Sequence, residues 1–248
     1  MKPRSQLVSG RAGRRLSAEG EHRPARGTPR LDPQARKAMI VEKAIIFFAD
    51  YGLTAQTRAL AESMGVTQRL LYRYFPSKTE LLRAVYEAAI LAPFKALWMV
   101  QLSDRSLPIR ERLIGFYGDY SANLLTRRWL RLFLYASLGE TDMAHDYIQA
   151  IVARLLDLIA AETAAELGVA LPDDPVFVRE AAWVLHGSIS HYAIRQHVYG
   201  AASGLTAQDI VPLNVDLFLA GFAAAMRSRP AAGGPVAVGP ALRDEVVN

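Results

Sequence analysis

At 248 residues, with 51% of its side chains hydrophobic, the chain is long enough for one large or two modest domains and can bury a substantial core. It contains no cysteine, which excludes disulfides and thiolate metal sites and fits a reducing cytoplasm. The formal charge of +5 is unevenly placed, with +6 on residues 1–31, +3 on 32–83 and −4 on 84–248; this favours a nucleic-acid contact at the N-terminal end and a mildly acidic body behind it.

Residues 1–31 are rich in Arg, Gly, Ser and Pro and lack apolar periodicity, so they are expected to form a disordered basic tail. Either the tail adds phosphate or minor-groove contacts to a DNA domain or it is simply solvated. It lacks the apolar core of a secretory signal. Asp32 followed by Pro33 is a helix start, with Asp as N-cap and Pro at the first helical position. The first helix runs to Tyr51 with Ile40, Ala44, Phe47, Phe48 and Tyr51 inward, and Gly52 closes it. A short second helix starts near Thr57 and ends at Met64, before a turn at Gly65. Thr67 caps a third helix over 68–75 with Leu71 and Phe75 inward, and Pro76 stops it. Ser77 and Glu80 fit a capping box for a fourth helix, which carries Leu81, Leu82, Val85, Tyr86 and Ala89 until Pro93 kinks or breaks it.

From Pro108 onward every periodic segment is helical and none alternates like a strand, so the fold class is all-α. The spacing predicts a fifth helix bearing Ile109, Leu113, Phe116, Tyr117, Tyr120 and Leu124 on one face, and a sixth over 127–138. It predicts a seventh from Thr141 to Leu167 ending at Gly168, an eighth from Pro175 to about Tyr199, and a ninth from Gln208 or Pro212 to Ser228. Residues 229–248 are rich in Pro, Gly, Ala and Val and read as a disordered tail. The longest run free of polar side chains, 217–226, is shorter than the about 20 apolar residues of a bilayer span, so no membrane contact is expected.

The helix, glycine turn and helix over 57–75 form the pattern of a helix-turn-helix DNA reader. Gln68, Arg69 and Arg73 suit base edges in the major groove, because amide and guanidinium groups bond bidentately there. Thr57, Arg58, Thr67, Tyr72, Tyr74 and Lys78 are the expected phosphate positioners or second-helix contacts. Leu70 either packs on a thymine methyl group or turns back onto the domain core.

The run over 40–82 resembles the DNA-binding domain of the tetracycline-repressor (TetR) family of bacterial regulators. The matching residues are Ala49 and Gly52, Leu60 and Ala61, Gly65-Val66-Thr67, Leu71-Tyr72 with Tyr74-Phe75, and Lys78 with Leu81. The resemblance covers about a sixth of the chain. It departs from the family at Leu70 and at Ala55-Gln56, where many members carry smaller or hydroxylated residues.

The resemblance implies a helix-turn-helix DNA-binding domain over 32–83 and a helical ligand-binding and dimerisation domain over 84–228. It also implies a dimer made by the last two helices, where Gly187, Ser190, Ala220, Gly221 and Ala224 would let backbones approach a second copy. Two reading heads about 34 Å apart meet successive major grooves, so the double-stranded DNA operator is expected to be an inverted repeat. Phe116, Tyr120, Phe133, Tyr147 and Trp183 are the expected lining of a site for a small organic effector.

His186, His191 and His197 are spaced by five and six residues rather than three or four, and neither a metal nor another cofactor is expected. Glu162 and Glu166 read as one solvated face. With no phosphate-cradling glycine loop, HExxH or GxSxG, no enzymatic activity is expected. The expected protein is a cytoplasmic, ligand-responsive dimeric repressor, with activation open because it uses the same head. The alternative is a ligand-independent architectural DNA-binding protein that uses the basic tail.

Overall fold

The computed structural model describes residues 32–139, 143–201 and 203–229, and among these every regular element is helical. The expectations for both tails and for Thr141 as a cap therefore lie outside the described residues, except at Arg229. That residue is extended and pairs with Asp174 at 2.8 Å.

Local capping chemistry starts three of the first four helices. In α1 (Pro33–Tyr51) the Asp32 carboxylate accepts from the Gln34 and Ala35 amides at 3.0 and 3.3 Å, satisfying two of the three orphan donors left at a helix start whose first residue, Pro33, has no N–H. Gly52 ends the helix at φ +84°. Then α2 (Thr57–Ser63) begins without a side-chain cap, and the turn to α3 (Gln68–Tyr74) passes through Gly65 at φ +67°. Thr67 Oγ1 accepts from the Leu70 amide at 3.2 Å, and Ser77 Oγ accepts from the Glu80 amide at 3.1 Å to open α4 (Lys78–Tyr86). Ile40, Phe48, Leu60, Leu71 and Phe75 close the small core between these helices. Tyr51 is a correction: it is 70% exposed, and its ring only leans on Phe47 at 4.8 Å, while Ala49 takes the inward place.

Pro93 acts as expected, but the helix loosens before reaching it. After Tyr86 the chain widens into a π-helical turn, Glu87–Leu91, and then breaks. A helix absent from the sequence reading follows, α5 (Leu97–Ser103), which buries Trp98 and Leu102. Next come α6 (Ile109–Asn123), α7 (Arg127–Ser137) and α8 (Met143–Tyr147). A second π-helical turn, Ile148–Val152, joins α8 to α9 (Ala153–Leu167). Two long helices complete the body: α10 (Pro175–His197), capped by Asp174, and α11 (Ala207–Ser228). Pro212 therefore lies inside α11, and the Asp209 carboxylate reaches back to the Thr206 amide at 2.8 Å.

Helix α11 packs against α6 and α10, and α9 packs against α10 and α5. Taken whole, α11 is long and apolar enough to cross a bilayer, which the count of its polar-free run did not reveal. Its apolarity serves two sides. Val211, Val215, Phe218, Phe222 and Met226 enter the core, while Leu213 and Leu217 face outward.

Candidate nucleic-acid interface and the body that carries it

Helix α3 is fixed to α2 by a short polar chain. The Gln68 amide donates to Thr57 Oγ1 at 3.1 Å, and Thr57 Oγ1 lies 3.0 Å from the Tyr72 hydroxyl. Thr57 is buried, so its hydroxyl holds the two helices in register. Lys78 is half-buried and donates to the Ala55 carbonyl at 2.8 Å, tying the loop before α2 to the start of α4. Burial lowers its pKa, and the nearby Tyr72 opposes that shift.

Gln68 and Tyr72 remain exposed, as do Arg69 and Arg73 beside them on α3; Arg69, Tyr72 and Arg73, with Thr67 and Leu70, line a shallow surface concavity. The Arg73 guanidinium lies over the Tyr74 ring at 5.7 Å. Leu70 is half-buried at the rim. Arg58 is exposed on α2 and pairs with Glu62 at 3.1 Å. Of the nine residues expected at the DNA surface, Thr57 and Arg58 open α2, Thr67 caps α3, Gln68, Arg69, Tyr72, Arg73 and Tyr74 lie on α3, and Lys78 opens α4.

The aromatic residues expected around an effector are placed differently. Phe116 and Tyr120 join Trp98 and Tyr117 in one buried cluster, with ring centroids 4.6–5.8 Å apart in the contacts Phe116 makes. Tyr147 packs with Trp129 and Phe133 in another, with centroids 5.7 and 5.6 Å away, and its hydroxyl is buried without a hydrogen-bond partner among the described residues. Trp183 meets His186 edge-on at 5.3 Å. Burial lowers the His186 pKa to about 4, so this imidazole is neutral in the fold. A large open cleft of about 1140 Å³ lies elsewhere, between α6, the end of α10 and the start of α11, and none of the five lines it.

Two charged assemblies in the body escaped the sequence reading. The first corrects the solvated-face expectation for Glu162 and Glu166. Arg112, buried on α6, donates from Nη1 to Glu162 Oε2 at 2.8 Å and to the Leu102 carbonyl at 2.6 Å, and from Nη2 to Glu166 Oε2 at 3.1 Å. Arg105 adds a bidentate pair to Glu162 at 2.9 and 3.0 Å. Glu166 also accepts from the Ile109 amide at 2.6 Å, so it caps α6. The Arg105 hydrogen bonds, aided by Arg112, hold the Glu162 pKa down to about 2 against the opposing cost of burial.

The second assembly joins body to head. Arg131 on α7 donates from Nε to the Ala49 carbonyl and from Nη2 to the Asp50 carbonyl at 3.1 Å, and Arg127 pairs with the Asp50 carboxylate at 3.0 Å. Both arginines thus meet the orphan carbonyl end of α1. Tyr135, hydrogen-bonded to Arg131 at 2.8 Å, lies against Gly52. A helical sequence shows such arginines as polar positions and carries no local sign of a partner about 80 residues upstream.

The outer faces of α10 and α11 leave Val176, Val184, Leu213 and Leu217 exposed. Gly187 and Ser190 are half-exposed, and Ala220, Gly221 and Ala224 are exposed. A Cβ placed on Gly187 or Gly221 would meet nothing within 4 Å, so these glycines do not serve close packing inside the chain. Among the described residues no group of three His, Cys, Asp or Glu side chains could hold a metal ion.

A trihelical head with a glycine-turned α2–α3 pair, carried on a helical body, has the architecture of helix-turn-helix DNA readers. Residues 40–85 match the family described as bacterial regulatory proteins, tetR family. The matched residues run from within α1 to the last turn of α4, so the head carries the sequence pattern of that family's DNA-binding domain. It is 30% identical over 78 residues to the nucleoid occlusion factor SlmA of Marinobacter nauticus, a match covering 32% of this chain and 40% of that relative's length. Two solved structures share the fold. A TetR-like transcriptional regulator from Rhodococcus sp. RHA1 matches with a TM-score of 0.57 and 23% identity, over 77% of this chain and 100% of that one. A protein described as a TetR-family transcriptional regulator from Mesorhizobium loti MAFF303099 matches with a TM-score of 0.54 and 15% identity, over 79% of this chain and 98% of that one.

Proposed function

We propose that the protein is a dimeric repressor that reads an inverted-repeat operator with α3 and leaves it when a small organic effector occupies the body. The observation that carries the reading is the division of labour on α3. Gln68 and Tyr72 are held to α2 through Thr57, while Arg69 and Arg73 beside them stand exposed and unengaged by that chain. In this reading residues 32–83 form the head and 84–228 the effector and dimerisation body. Arg69, Arg73 and the remaining carbonyl and N–H of Gln68 meet base edges, and Arg58, Thr67, Tyr72, Tyr74 and Lys78 meet the phosphates.

Dimerisation runs through the outer faces of α10 and α11. An apolar groove of about 490 Å³ there is lined by Val184, Leu217 and Gly221, and the open space over Gly187 and Gly221 leaves room for a second backbone. A two-fold pair of heads then demands a two-fold operator.

The test is selection of bound fragments from random DNA by the purified protein at near-physiological salt. One inverted repeat is the expected product, with two chains per duplex in sedimentation. Recovery of unselected DNA alone overturns the reading. Deleting residues 1–31 should leave the selected repeat unchanged; a loss of all binding would favour the architectural alternative.

A further inference from the structure

We propose that the effector site is the cleft between α6, the end of α10 and the start of α11, and that its occupant is an uncharged, elongated organic molecule carrying a hydrogen-bond donor. This rests on the regulator reading above and adds the place and the ligand class. The volume, about 1140 Å³, accommodates a small organic molecule with room at the open side.

The lining sets the class. Its apolar part includes Ile114, Leu205 and Val211, its polar part includes Ser121, Thr126, Gln196 and the His197 imidazole, and no carboxylate, ammonium or guanidinium is among it. A cation would lose hydration there without gaining a counter-charge, and an anion would find only the single His197 imidazole in exchange for its hydration. The polar wall is already ordered: the Tyr192 hydroxyl donates to the Leu205 carbonyl at 2.8 Å and accepts from the Gln196 amide at 3.0 Å. Pro212, which lines the cleft beside Gln208, has no N–H, so the Gln208 carbonyl lacks the donor that the helix would supply four residues on. That acceptor calls for a donor on the ligand.

The floor is held open by Gly118, in the middle of α6, where a Cβ would meet nothing within 4 Å. A glycine inside a helix sacrifices helix propensity, and here no close backbone contact requires it. The cleft also stays accessible in the proposed dimer. At about 100° per residue, 208, 211 and 212 fall on one side of α11, whereas 213, 217, 220 and 224 fall about half a turn away. Thr126, the N-cap of α7 through its bond from the Trp129 amide at 3.3 Å, borders the cleft, so an occupant touches the helix that grips α1.

The full-length protein is titrated with trans-4-hydroxystilbene, an uncharged rod with one donor, and with trans-stilbene-4-carboxylate, an anion of the same shape. The hydroxyl compound is expected to bind once per chain, at least tenfold tighter than the carboxylate. Gly118→Leu, which fills the floor while favouring helix, is expected to weaken it at least tenfold with the helical circular dichroism unchanged. Ser121→Leu enters the same space from the next turn and serves if Gly118→Leu fails to fold. Absence of saturable binding, equal binding of the carboxylate, or binding unaffected by the folded variant overturns the proposal. The regulator reading fails separately, through recovery of unselected DNA by the same preparation, whichever way the titration ends.

Discussion

The head and the body handle charge in opposite ways. In the head, Arg58, Arg69 and Arg73 stay on the outside and the interior is held by apolar side chains, helix caps and one chain of neutral hydrogen bonds. In the body, Arg112 is buried and its charge is spent internally on Glu162 and Glu166. The contrast separates surface from cohesion: Lys78 apart, which ties the loop before α2 to α4, the head's arginines stand outside its packing, and removing them should leave the fold intact. Charges in the body hold helices together, and removing them exacts that cohesion.

The largest expected effect comes from breaking the buried cluster. Arg112→Ala leaves Glu162 desolvated without its buried partner and should cost about 3–5 kcal/mol, read as a lower urea midpoint. Exchanging both partners, as Arg112→Met with Glu162→Leu, should recover most of that loss, because paired apolar groups carry no stranded charge. If the single change leaves the midpoint in place, the body does not depend on the cluster.

Next in size is a pH effect that belongs to the body alone. His186 titrates near 4 in the fold against an ordinary value near 6.5, so between these limits the unfolded chain binds more protons. Stability is therefore full above about pH 6.5 and declines as the pH falls towards 4, by on the order of 3 kcal/mol. His186→Phe should flatten this slope; an unchanged slope would assign it to other groups. The Glu162 contribution lies lower, fading from about pH 4.5 towards about 2 as the carboxylate is protonated.

Smaller effects sharpen the head's side of the contrast. Arg69→Ala should cost about 1–3 kcal/mol at one base pair of the selected repeat and leave thermal stability unchanged. Equal losses on random DNA would reassign Arg69 to the phosphates. Asp32→Ala removes a carboxylate that serves only the α1 N-terminus, and should lower stability by about 1 kcal/mol in thermal melts without altering which repeat is selected.

What was legible in the sequence was local. Asp32-Pro33, Thr67, Ser77 and Asp174-Pro175 announce helix starts because a cap and its amide lie two or three residues apart. The surface of α3 was legible for the same reason. Helix α5 was not, because its single stripe of Trp98 and Leu102 is shorter than a periodicity window and sits between Pro93 and Pro108. Tyr51 was misplaced because an aromatic at the end of an apolar stripe looks the same whether or not another helix covers it. The Arg112 cluster and the arginines of α7 join residues 50 to 82 positions apart, and the cleft is made by three helices whose approach no single segment encodes.

The grip of α7 on α1 bears on how the molecule opens. The last carbonyls of α1 are held by Arg131, and the Gly52 amide bonds to Phe48 just beside them. The end of the head's first helix therefore shares a cooperative unit with the body, and its amides should exchange with solvent at the body's rate. The α2–α3 pair, joined to α1 by apolar contact and to α4 through Lys78 on the Ala55 carbonyl, is free to exchange sooner. Within one small domain, the helix-turn-helix pair and the segment that anchors it thus belong to different tiers of protection.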